Sequence, residues 1–174
     1  ADKGRGPLVL RYDGAAWSQL PVPTRGDLWW AQAFGDGTVW MGGASATLLR
    51  YRAGRFERFE APGSARATVF GLWGASPDDV YAVGSAAGRN GFVWRFNGTA
   101  WRDTALPAAL PDVNETHDGP GFFKVWGRGA DDVWVVGDLG VAMRGRAGAF
   151  APVDTGTTRR LFTVHGDADT TMLV

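Results

Sequence analysis

The chain has 174 residues and no formal net charge, with 18 Lys plus Arg against 18 Asp plus Glu, and it combines 26 Gly, 9 Trp and 10 Phe with no Cys. The missing thiols exclude disulfides, thiolate metal sites and a cysteine nucleophile, and a neutral chain has no global pull on nucleic acid or anionic lipid. No apolar run approaches the roughly 18 residues of a helical membrane span, and "ADKGRGP" at the start does not have the pattern of a signal peptide.

In chain order, "LVLRYDGAAWSQLPVP" (8–23) reads as a strand, an Asp-Gly turn and a second strand opening at Trp17. "LWWAQA" (28–33) and "TVWMGG" (38–43) follow as two short strands, then "LLRYRAG" (48–54) and a strand opening at Phe56. The same four-strand order returns from "VFGLWG" (69–74) through "DDVYAVG" and "FVWRFNG" to a strand opening at Trp101. "AALPDVNETHDGPG" (108–121) is an insertion. A further unit runs from "FFKVWG" (122–127) through "DDVWVVG" and "VAMRGRAG" to a strand opening at Phe150. The last unit stops after two strands, "LFTVHG" (161–166) and "TTMLV", whose second strand is aligned at Met172 with Val39, Val80 and Val133. Gly or Pro interrupts every few residues and no 3.6-residue period is sustained, so helices are not expected.

Repeated units of four short strands, roughly 40 to 45 residues each, are the pattern of β-propeller blades. The expected fold is therefore all-β, one propeller domain over 1–174, with blades at 28–63, 68–107 and 122–157. A fourth blade is shared between 161–174 and 1–23, so that the strand at 8–12 pairs with the strand ending at Val174. Two alternatives share that register: half of an eight-bladed ring completed by a second chain, and a segment of a larger propeller. The paired stretches "GLWGASPDDVYAVG" and "KVWGRGADDVWVVG" resemble the Trp-rich propeller repeats of bacterial secreted and surface proteins, W-G-x-S-x-D-D-V-W-A-V-G, loosely related to BNR-like and kelch-like repeats. The resemblance implies a propeller in an extracytoplasmic setting. The sialidase Asp-box is missing from every unit, so sialidase activity does not carry over.

Trp73 and Trp126 end the innermost strands and are expected to wedge between blades, with Trp17, Phe56, Trp101 and Phe150 as packing residues of the outer strands. Sugar stacking is the competing role for Trp73 and Trp126. The pairs Asp78-Asp79 and Asp131-Asp132 fall in turns, where Asp bonds its own backbone; calcium is the weaker reading, and no cofactor or metal is expected. His117 and His165 lack zinc-ligand spacing. Sorting loops by face separates the charges: Lys3, Arg5, Arg25, Arg66, Arg89, Arg159 and Arg160 gather with His117 and the insertion on one face, and most Asp on the other. These are the ligand-face candidates. The expected function is a non-catalytic binding or scaffold module for a protein or glycan. A lectin with sites between blades is the alternative, and an enzyme over the channel, with Lys124 and His165, the third. Neither nucleic-acid binding nor membrane insertion is expected; a homodimer follows from the two-chain ring.

Overall fold

The computed structural model describes residues 6–87, 89–112, 115, 118–146 and 148–174. These residues form strands and one 3-10 turn at Asp138–Gly140. Three complete blades are antiparallel four-stranded sheets with strands in sequential order. The first holds β3 (Leu28–Ala33), β4 (Val39–Gly43), β5 (Thr47–Arg52) and β6 (Arg55–Arg58). The second holds β7 (Ala67–Ser76), β8 (Asp79–Ala86), β9 (Arg89–Phe96) and β10 (Trp101–Asp103). The third holds β11 (Phe122–Gly129), β12 (Asp132–Gly137), β13 (Ala142–Arg146) and β14 (Ala149–Val153). Two half-blades flank them: β1 (Val9–Tyr12) with β2 (Trp17–Leu20), and β15 (Val164–Gly166) with β16 (Thr171–Leu173).

Turn chemistry explains the connections. Asn97 and Asp13 bond the backbone N–H groups two and three residues on, closing the tight turns between third and fourth strands. Gly98 and Gly14 follow at positive φ, where a side chain would be strained.

The core lies between blades. One cluster joins Trp40 and Leu48 of the first blade to Val69, Leu72, Val80 and Phe96 of the second. A second joins Tyr81, Val83 and Val93 to Phe122, Val125 and Val133, and a third joins Val136 and Ala142 to Leu161 and Val164. Trp40 Nε1 also donates across the first interface to the Pro77 carbonyl at 2.9 Å. Glycines let the blades close: a Cβ on Gly127 would strike the Trp73 ring at 2.7 Å. Trp73 thus lies between the second and third blades, and Trp126 lies against the last cluster, 5.3 Å from His165. Trp101 and Phe150 are buried, Phe56 is half-buried, and Trp17 is exposed.

Two expectations change. Within the chain, β1 and β16 do not pair; they belong to separate two-stranded sheets beyond opposite ends of the three blades. The two half-blades are therefore not joined into a fourth four-stranded sheet within the chain. The alignment of the last unit also moves by one residue. The turn from β15 to β16 is shorter, and Gly166 pairs with Thr171 where Gly127 pairs with Val133. Thr171, not Met172, opens that strand.

Candidate functional site

The innermost strands share an irregularity. Their buried apolar residues stand three apart, Val69 and Leu72, Phe122 and Val125, Leu161 and Val164, whereas a regular strand repeats every two. The register accommodates this with a β-bulge. Val69 pairs with Gly84 but Gly71 with Val83, and Phe122 pairs with Gly137 but Lys124 with Val136. Leu28 and Trp30 show the same shift. At the fourth position the N–H groups of Phe162 and Thr163 both donate to the Val174 carbonyl. A bulge bends the strand and re-aims the extra side chain. Here the extra residue is aromatic each time: Trp29, Phe70, Phe123 and Phe162.

These four rings form a continuous stripe along the inner strands. Trp29 meets Phe70 edge-on at 5.9 Å, Phe70 meets Phe123 at 5.9 Å, and Phe123 stacks on Phe162 at 5.4 Å. Trp29 and Phe162 are largely exposed, while Phe70 and Phe123 are half-buried. Exposed aromatic rings in a row are unusual where strands otherwise hide apolar groups, and such patches mark binding surfaces.

Beside the stripe sits a cation. The Lys124 ammonium lies 3.2 Å from the centroid of the Trp30 ring, two blades away. Gly71 makes this reach feasible, since a Cβ there would press on the Phe123 carbonyl and the Lys124 Cα. Burial pushes the Lys124 amine down to about 8, and among the described residues it has no carboxylate partner.

Basic loops rim the stripe. Arg160 lies over Phe123 and Phe162, 5.4 and 5.7 Å from their centroids. Its Nε donates to buried Asp138 at 2.6 Å, and Asp138 also accepts from the Gly121 N–H. Among the described ligand-face candidates, Arg160 is drawn into the stripe. Arg25, Arg66 and Arg159 are exposed in loops leading into inner strands, with no ion pair among the described residues. Lys3, Arg5 and His117 lie outside the described residues. Arg89 starts β9, and its neighbours Asn90 and Gly91 hold the insertion: their N–H groups donate to the Gly119 and Pro120 carbonyls.

The Asp pairs serve elsewhere. Asp79 is bonded by Arg95 at 2.7 Å, and Asp132 by Arg144 and Arg128 at 2.6 and 2.8 Å. The hydrogen bonds from Arg144 and Arg128 hold the Asp132 carboxyl at about 2. In the equivalent turns of the first and last units, Asp36 and Asp167 do accept from backbone N–H groups of their own turns. No group of three His, Cys, Asp or Glu side chains is suited to a metal among the described residues.

The sequence reading passed over both the bulged aromatics and the arginines at Arg11, Arg50, Arg95 and Arg144. The first had a signal, the three-residue apolar spacing. The second had one too: Arg occurs at the same place in every third strand.

No protein-family model and no curated protein matches the sequence. Among solved structures the chain is similar to YCF48 bound to D1 peptide, with TM-score 0.65 and 15% identity, over 86% of this chain and 47% of that one. It is similar to a catalytically inactive virginiamycin B lyase from Staphylococcus aureus with quinupristin, with TM-score 0.66 and 15% identity, over 85% of this chain and 49% of that one. The chain spans about half the length of each. At that identity the likeness is one of fold, and by fold this chain is an array of β-propeller blades.

Proposed function

We propose that this chain is a non-catalytic binding module that takes an extended, acidic and apolar segment of a protein partner along the bulged aromatic stripe. The observation that carries the reading is the stripe itself: four rings at the same bulge, exposed at Trp29 and Phe162 and half-buried at Phe70 and Phe123, flanked by Lys124 and Arg160 and rimmed by Arg25, Arg66 and Arg159, which have no ion pair among the described residues. Rings supply contact area at low entropic cost, and peripheral arginines favour carboxylates. YCF48, similar to this chain in fold, is bound to D1 peptide, which supports a peptide segment as the form of the partner. Two of the groups nearest the rings are bound to each other, Arg160 to Asp138. Lys124 sits on Trp30, away from any acid partner, which suits recognition better than proton transfer. An extracytoplasmic location belongs to the same reading and rests on the repeat resemblance alone.

The test is selection of a random peptide library on the immobilised protein, with affinities then measured by Trp fluorescence. Enriched peptides should combine Asp or Glu with aromatic residues. Phe123→Ala and Arg159→Glu should each weaken them by about tenfold, the scale of a single interface anchor. Enriched peptides indifferent to both substitutions, or binding seen only on a glycan array, would remove the peptide-binding reading.

A further inference from the structure

Sixteen of the 18 basic residues are Arg, and the sequence holds two Lys, Lys3 and Lys124. Arginine keeps its charge wherever it is placed, whereas a desolvated lysine gives up its proton and becomes a nucleophile. The difference matters because the fold repeatedly sets a cation on an aromatic ring. Arg50, Arg95, Arg128, Arg144 and Arg160 each lie over at least one ring. Each of these five also binds a carboxylate, which neutralises its charge. Among the described residues Lys124 is the ring-bound cation with no carboxylate partner, and it is the one that can lose its charge.

Its position belongs to the repeat. The residue after the bulged aromatic is Trp30 in the first blade, Gly71 in the second and Lys124 in the third, all within complete blades. Gly71 leaves open the place between the other two. A Cβ there would stand 3.3 Å from the Lys124 Cα, and across this gap the Lys124 ammonium reaches to 3.2 Å from the Trp30 centroid. Packing on the first core cluster holds Trp30, since its buried Nε1 has no hydrogen-bond partner among the described residues. The indole face attracts the amine only while it is charged. Burial works the other way and brings its titration from 10.5 to about 8. At pH 7 about one amine in ten is then neutral, free of the ring and with its lone pair available.

We propose that Lys124 is a covalent capture site for aromatic aldehydes, its amine condensing reversibly with the carbonyl while the aldehyde's ring stacks on Phe123. Phe70 and Phe123, half-buried and 5.9 Å apart, directly precede Gly71 and Lys124 and give a flat apolar platform beside the amine. The Nζ lone pair adds to the carbonyl carbon as the C=O π pair moves to oxygen, and one N–H proton passes to that oxygen through water. The oxygen then leaves as water, taking the second N–H proton, and a neutral C=N bond remains. One amine and one aldehyde give one imine and one water, with no change in oxidation state. A half-buried apolar site favours this product, which carries no charge to desolvate. The capture is stoichiometric, because no carboxylate partner stands by to turn the imine over. It goes beyond the binding of a peptide and stands independently of it.

The test incubates the intact protein with benzaldehyde and cyanoborohydride at pH 7, which fixes the imine as a secondary amine. Nα-acetyllysine in the same solution serves as the ordinary amine, and peptide mass spectrometry locates the adducts. Lys124 should be labelled on the order of tenfold faster than the reference. With propanal, which has no ring to stack, the ratio should fall several-fold. Phe123→Leu should lower the benzaldehyde ratio toward that of propanal, and Trp30→Glu, which supplies the missing carboxylate, should hold the amine charged and suppress labelling by both aldehydes. Circular dichroism checks that each variant keeps its strands, and the wild-type comparison of the two aldehydes needs no variant. Labelling of Lys124 no faster than the reference overturns the proposal. So does an equal ratio for both aldehydes, or a benzaldehyde ratio unchanged in folded Phe123→Leu.

Discussion

Arg144 ties three strands together with one side chain. Its guanidinium lies 5.2 Å from the Trp134 ring on the neighbouring strand and bonds Asp132 at the strand's start, and Asp132 in turn holds Arg128. Asp132→Asn should cost about 1 to 2 kcal/mol, under the usual range for hydrogen bonds to charged groups because both guanidinium groups stay partly wet. The pH dependence has a definite sign. The folded carboxyl titrates at about 2 against an ordinary 3.8, so its contribution is complete above 3.8 and disappears as the pH falls toward 2. Urea denaturation across that window should show the wild type losing stability more steeply than the Asn variant. Lys124 gives the same direction for the opposite reason, because here the fold disfavours the charged form. Its folded amine titrates at about 8 against 10.5, so the unfolded chain binds more protons between those values and stability rises with pH across them. Lys124→Met should stabilise the protein at neutral pH and flatten that rise.

At the scale of the element, the bulge decides which aromatics are structural and which are offered to a partner. Trp40 on regular β4 is fully buried, with Phe96, Phe59 and Trp101 rings 4.8, 4.9 and 5.2 Å away. Trp40→Ala should destabilise by about 3 to 5 kcal/mol, as large-to-small core changes do. Phe123 sits at a bulge, and Phe123→Ala should cost only about 1 kcal/mol, the scale of its ring pairs. Thermal denaturation of the two variants side by side checks the contrast; equal losses would mean that Phe123 is a core residue. The three-residue spacing of Val69–Leu72 and Phe122–Val125 was open to reading, because an apolar pair that skips two residues cannot share a face of a regular strand. The direction of the displaced ring was not, since a bulge turns its extra residue by an amount set by the partner strand.

For the whole molecule, the three packed clusters contain no residue of the N-terminal half-blade. Deleting residues 1–23 should therefore leave a folded all-β protein with its Trp fluorescence and cooperative transition intact, although the sequence alone suggested that this hairpin clasps the ring shut. Circular dichroism of the deletion should keep the strand signature, with aromatic bands from Trp40, Trp94 and Trp101. Loss of cooperative unfolding would show that the half-blade supports the packed blades.

The four-strand unit, the strand order and the turn positions were written into local pattern: an aromatic strand, a Gly or Asp turn, and an Arg-bearing third strand recur with enough regularity to be read without coordinates. Those features depend on residues within one blade, where hydrogen bonds link neighbours in sequence. How closely the blades approach depends on contacts between them, which no single blade's pattern encodes: a Cβ on Gly42, Gly71 or Gly127 would press on the neighbouring blade. The binding stripe has the same origin. Trp29, Phe70, Phe123 and Phe162 are spread across the chain, and only the side-by-side packing of inner strands makes them neighbours, while Lys124 reaches Trp30 because Gly71, between them, has no side chain.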